Sequence, residues 1–207
     1  PLTGIVVADF SRVLAGPLTT MTLADLGARV IKIERPGEGD DTRHWGPPFS
    51  PTGSTYFESV NRNKESIELD LTTDADRAVA IAIASNADIL VENFKPGGAA
   101  SLGLGYDELS VLNPGLIYAS ISGFGSGRGA ELPGYDFIVQ AVGGLMSITG
   151  DPEGPPMKVG VAVVDILTAK DATIGILSAL QARNETGLGR RLEVNLLSSL
   201  QGALANQ

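Results

Sequence analysis

The stretch GIVVADFSRVLAGPLTTMTLADLGARVIKIE, residues 4–34, decides the fold. Gly4–Phe10 is a short apolar run broken near its end by Asp9, Leu18–Leu26 reads as a helix, and Ala28–Glu34 resumes a β-rich pattern. That order makes a βαβ unit. The alternation continues with strands over Ser66–Leu71, Asp88–Glu92 and Leu116–Ile121 and a helix over Asp74–Ser85. A helix over Asp165–Arg183 is expected to turn Ile166, Ala169, Ile174, Leu177 and Leu180 inward; the turn ETGLGRR then leads to a strand at Leu192–Leu196. Strands that alternate with helices predict an α/β fold with a doubly wound, mainly parallel sheet. The Gly- and Pro-rich segment Pro36–Gly53 cannot continue a sheet and is expected to run as a long surface loop.

With 207 residues and 43% hydrophobic side chains, the chain can bury a core as one domain over residues 1–207. Its 24 acidic residues against 15 basic ones give a formal charge of −9, which argues against nucleic acid as a partner. No run of about 18 apolar residues offers a membrane span, and the start lacks a basic segment leading into an apolar one, so a soluble protein with no membrane partner is expected. The absence of cysteine excludes disulfides, thiolate metal sites and a Cys nucleophile, and fits the cytoplasm or an organelle matrix. The final residues, LLSSLQGALANQ, read as a helix that stops without a capping glycine or proline, which suggests a fragment of a longer chain.

His44 is the only histidine and lies in the Gly/Pro-rich loop, so a serine triad or a multi-histidine metal centre would rest on one exposed side chain; no metal site is expected. The run Gly125–Ala130 matches the GxGxxA form of the dinucleotide fingerprint, but Pro133-Gly134 arrives where the required helix should begin. An NAD-linked oxidoreductase would need that helix. Arg35 closes the second strand, where doubly wound folds place a residue against an adenosine moiety; the plain alternative is a surface ion pair. Asn93-Phe94-Lys95-Pro96-Gly97 also follows a strand's carboxyl end, and reads either as a ligand loop or as ordinary turn chemistry. Asp165 ends the apolar run VGVAVVD just before a long helix. There it can cap the helix, and the same backbone N–H groups would hold it ionised as a nucleophile.

Taken in order, GIVVADFSRVLAGP, GARVIKIERPGEGD, NRNKESIELDL, ADILVENFKPG, LNPGLIYASISGFG, PGYDFIVQAVGGLMSITG and ETGLGRRLEVNLL span essentially the whole chain. The ordered set resembles the family III CoA-transferases of the CaiB/BaiF type, which share a fold with the α-methylacyl-CoA racemases. The resemblance implies a Rossmann-like CoA-binding large domain, with the family's second, smaller domain absent from this chain. It implies that Asp165 forms an acyl anhydride and then an aspartyl-CoA thioester, with Tyr135 and Asp136 beside it. Val13, Arg35, Leu69, Asn93, Phe94 and Lys95 become candidates for the CoA cradle, with CoA or acyl-CoA as substrate rather than a permanent cofactor. Backbone N–H groups at the Asp165 helix start, or a glycine loop beyond residue 207, would supply the oxyanion site. The full-length protein would be an interlocked homodimer.

Two departures bear on the reaction. Racemases of the superfamily carry a His-Asp pair where this chain has Tyr135-Asp136, and a racemase needs an acid and a base on opposite faces of the α-carbon. Losing that His removes one of them; separately, the formyl-CoA:oxalate transferases carry a glutamine where this chain has Leu14, which argues against the oxalate and formate pair and leaves the acceptor open. The resemblance therefore favours CoA transfer between an acyl-CoA and a small carboxylic acid over racemisation through Asp165 and Asp136. A catalytically silent CoA-binding domain is the third reading.

Overall fold

In strand β1 (Val6–Asp9), Val7 and Ala8 are both fully buried, yet they join different clusters of the core. The computed structural model, which describes residues Pro1–Gln207, repeats this division in strand after strand. In β6 (Ile89–Glu92), Ile89 and Val91 face one side and Leu90 the other; in β7 (Ile117–Ser122), Ile117, Ala119 and Ile121 oppose Tyr118. Strands apolar on both faces are the mark of a parallel sheet covered by helices on both sides. With β2 (Arg29–Glu34), β5 (Lys64–Glu68) and β8 (Arg190–Asn195), they form a six-stranded sheet in the order β5-β2-β1-β6-β7-β8, every pair parallel. Two-residue strands β3 (Phe49–Ser50) and β4 (Gly53–Ser54) make a separate antiparallel hairpin.

Helices α1 (Ala15–Asp25), α7 (Val163–Thr186) and α8 (Leu196–Ala203) cover one face of the sheet. Helices α3 (Asp74–Ser85) and α5 (Tyr106–Leu112) cover the other. The short α2 (Thr55–Ser59), α4 (Gly98–Ser101) and α6 (Asp136–Val142) lie in the connections, and α6 leads towards α7. The doubly wound α/β architecture expected from the alternation is therefore present, with α3 at its expected bounds. Helix α7 begins two residues before Asp165 and buries a stripe of Thr168, Ala172, Ile176 and Ala179. Those residues recur at helical spacing and are mostly small, so α1 packs closely enough for the Thr19 hydroxyl to donate to the Ala169 carbonyl at 3.3 Å. Ile174, expected on the inner face, is 62% exposed because that stripe already fills it.

The second departure concerns residues 36–53. The segment is not a surface loop throughout: it holds a 3-10 turn at Asp41–His44, and both Asp40 and Thr42 are fully buried. Charge draws it inward. Lys32, in the middle of β2, is 1% exposed and its ammonium lies 3.0 Å from the Asp40 carboxylate and 2.8 Å from the Ser11 carbonyl. Beside it Lys64 pairs with Asp9 at 3.0 Å. Burial works against ionisation of Asp9, but Lys64 and Lys32, helped by the Ser11 and Thr20 hydroxyls, hold its carboxyl well below the usual range. Burial pushes the Lys64 ammonium down to about 8 despite Asp9. Removing one member of such a pair strands the other. Lys32→Met is expected to cost about 3–5 kcal/mol in urea unfolding, and Lys32→Met/Asp40→Asn, which keeps an acceptor for Val13 and Thr42, to regain most of it.

Candidate active site

The strand order turns back on itself between β1 and β6, where open α/β sheets present a crevice at the carboxyl ends of their strands. Two loops meet there, Phe10–Leu14 after β1 and Asn93–Gly97 after β6. Within the first, the backbone of residues 11–13 is hydrogen-bonded by side chains. Ser11 N–H donates to Asp9, and Ser11 C=O accepts from Lys32. Arg12 N–H donates to Asn93 Oδ1 at 2.9 Å, and Asn93 Nδ2 donates back to the Arg12 carbonyl at 2.8 Å. Val13 N–H donates to Asp40 at 3.2 Å, with Val13 in the left-handed region at φ 72°. A β-branched residue is costly there, and such backbone persists only where its surroundings over-determine it.

Below these loops lies a cleft of about 590 Å³ whose lining includes Val13, Asn93, Phe94, Lys95, Tyr135 and Asp165. A second cleft of about 500 Å³, lined in part by Arg35, Leu69 and Asp70, shares Arg12 and Phe94 with the first. Every cradle candidate thus lines one cleft or the other, and the two abut. Arg35 also satisfies its plainer reading, since it pairs with Asp41 at 2.5 Å and Glu38 at 3.5 Å. Both ends of the Asn93 amide bond the Arg12 backbone, so it ties the two loops together. His44 lies in the exposed turn with its ring against the Glu38 carbonyl.

The glycine-rich residues 123–134 form a wall of the first cleft and contain no helix, as Pro133-Gly134 implied. Their ends touch: a Cβ placed on Gly123 would meet the Gly134 Cα at 2.3 Å, so only glycine closes this neck. The chain leaves the neck directly into Tyr135, which is 61% exposed, and Asp136, which is 9% exposed. Here the helix-cap expectation changes. The cap of α7 is not Asp165 but Asp136, whose Oδ2 accepts the N–H groups of Val164 at 2.7 Å and Asp165 at 3.1 Å. With α7 starting at Val163, Asp165 falls within the first turn and its side chain has no cap to make. Those N–H groups are therefore closed to an oxyanion; the start of α1, with no side-chain cap, opens on the same cleft at Leu14 and Ala15.

Burial first, and then the neighbouring Asp136 charge, push the Asp165 carboxyl up to about 7. The expectation that N–H groups hold it ionised is thus reversed. Burial, followed by the charges of Asp165, Asp136 and Asp40, pushes the Tyr56 hydroxyl up to about 12, so it stays protonated near both carboxylates. Nothing in the sequence marks Tyr56, Arg12 or the capping role of Asp136, because each depends on contacts made across long separations.

The model of CoA-transferase family III matches residues 2–207. The chain belongs to that family. This family III chain is 48% identical to the succinyl-CoA:glutarate CoA-transferase of Mus musculus over 96% of its own length and 46% of the relative's. It is 49% identical to the acetyl-CoA:oxalate CoA-transferase of Acetobacter aceti, over 99% and 54% of the two chains. A crystal structure of a CaiB/BaiF family protein from Brucella suis superposes with a TM-score of 0.97 at 47% identity, covering 100% of this chain and 56% of that one. The family III chain thus spans about half the length of the relatives it matches. None of its helices is long and apolar enough to cross a membrane.

A raised carboxyl makes a pH-dependent cost. Below the unfolded value of 3.8 Asp165 is protonated in both states; as pH rises towards 7 the unfolded chain ionises first, so the folded state loses stability progressively. Asp165→Asn is expected to unfold at higher urea than the parent at pH 8, by roughly 2–4 kcal/mol, with the gain fading towards pH 4.

Proposed function

We propose that the protein transfers CoA from an acyl-CoA donor to a small carboxylic acid, with Asp165 as the nucleophile. The observation that carries this is a partly buried carboxylate lining a cleft that abuts a second one, in a chain without cysteine and with its one histidine elsewhere. The relatives named for succinyl-CoA and acetyl-CoA support the donor class, and their naming as transferases favours transfer over racemisation.

In this reading an Asp165 oxygen attacks the donor thioester carbon, the C–S bond breaks, and CoA thiolate leaves a mixed anhydride. Thiolate attacks the Asp165 carboxyl carbon and expels the donor acid, forming an aspartyl-CoA thioester. The acceptor carboxylate attacks that thioester and releases thiolate, which then attacks the acceptor carbon of the new anhydride and frees Asp165. Each step exchanges one anion for another, so no proton moves once Asp165 has lost its own. The adenosine end of CoA lies along Arg35 and Leu69, and the pantetheine arm passes Phe94 and Lys95 towards Val13. Tyr135 flanks the reacting carbon, and Asp136, behind the cleft wall, holds the turn that carries Asp165. The uncapped start of α1 supplies donors to the tetrahedral oxygen, as would a glycine loop outside these residues. Residues 1–207 form the large domain, and the family's smaller domain and interlocked homodimer complete the site. The cytoplasm or an organelle matrix supplies the CoA esters.

The test is mass spectrometry of the full-length protein after incubation with succinyl-CoA and hydroxylamine trapping. An adduct on Asp165 is expected, with Asp165→Asn losing the adduct and at least about a thousandfold of turnover. A full-length sample that binds CoA but forms no adduct on Asp165 would overturn the assignment.

A further inference from the structure

Gln140 lies one turn after Asp136 on α6 and is 1% exposed. An amide buried so fully is costly unless its groups are partnered, and here both ends are. Its Nε2 donates to Asp136 Oδ1 at 2.5 Å and to the Val161 carbonyl at 3.3 Å. Its Oε1 accepts the Val159 N–H at 2.9 Å. Two of these contacts reach the segment that feeds into α7; the third holds the carboxylate whose other oxygen caps α7 at Val164 and Asp165. A methionine would fill similar space, so packing alone does not call for an amide.

We propose that Gln140 is a positioning residue for the nucleophile: by tying Asp136 to the Val159–Val161 backbone, it fixes the start of α7 and with it the place and charge surroundings of Asp165. Gln140 does not line the cleft, so it acts only through Asp136 and the chain before α7. The ionisable groups around Asp165 are Asp136 from α6, Tyr56 from α2 and, along the same cleft, Arg12, Asp41, Lys95, Glu131 and Tyr135. Of these, Asp136 is the one Gln140 holds. The inference rests on the nucleophile assignment above.

The measurement is the rate of Asp165 adduct formation from succinyl-CoA in the full-length protein, in single turnover, from about pH 5 to about pH 9. Gln140→Met is expected to slow the step roughly ten- to a hundredfold at saturating donor with KM little changed. It should also lower the midpoint of the acid limb, because Asp136, left with its two backbone donors alone, is held less closely beside Asp165. Gln140→Glu, of nearly the same volume, adds a carboxylate and should move the midpoint up. In an Asp136→Asn background, Gln140→Met should lose its effect on the midpoint. Midpoints unmoved in both single variants, whatever the change in rate or melting temperature, would reduce Gln140 to a packing residue. If Gln140→Met does not fold, the direction of the Gln140→Glu shift decides. A wild type that forms no Asp165 adduct would fail the transfer reading and take this inference with it; a wild-type adduct alongside unmoved variants fails this inference alone.

Discussion

An ammonium group with no access to water must be ringed by acceptors, and Lys32 imposes that demand on the middle of the sheet. One acceptor is the Asp40 carboxylate, so a segment rich in glycine and proline folds back onto β2. The other is the Ser11 carbonyl, so the turn after β1 is drawn to the same point. Asp40 then has lone pairs left for Val13 N–H and for Thr42. The walls of the crevice are thus placed by charge and hydrogen bonding, and apolar packing lies beneath them. A wall built this way resists displacement, because moving the Ser11 carbonyl or the Asp40 carboxylate would take an acceptor from a buried ammonium.

Asp136 and Asp165 stand on consecutive helices and differ in what surrounds them. Asp136 accepts from two backbone N–H groups and the Gln140 amide. Asp165 has only burial and a like charge, and no hydrogen bond offsets either. Environments that differ in this way give the two carboxylates different places: Asp136 is occupied in ordering the start of α7, while Asp165, free of such contacts, lines the cleft.

Much of this was legible in the chain because it is local. The βαβ alternation over residues 4–34 and the bounds of α3 follow from periodicity, and Pro133-Gly134 is enough to deny a helix after Ala130. The ordered motifs were sufficient for the family. What could not be read depends on pairs far apart in sequence. Asp40 is buried because Lys32 is, and Asp136 replaces Asp165 as a cap because α6 meets α7 across an intervening loop. Ile174 turned outward for a related reason: the inward face of α7 is chosen by what α1 can approach, and small residues admit it where a larger apolar face would not.

The Gly123–Gly134 neck divides the cleft wall into parts under different rules. Outside the neck, β7 and the start of α6 are held by sheet pairing and by the contacts of Asp136. Inside it, residues 124–133 close on themselves where two backbones cross with no side chain between them, and near the first crossing they are tied down by Phe124 on the core and by Gly125 N–H on Ser122 Oγ. Changes of length between residues 126 and 132 can be absorbed ahead of the Gly134 crossing, which keeps Tyr135 and Asp136 in place. The wall is therefore a cassette. Its shape can diverge between relatives that act on different acids while the carboxylate pair behind it stays where it is.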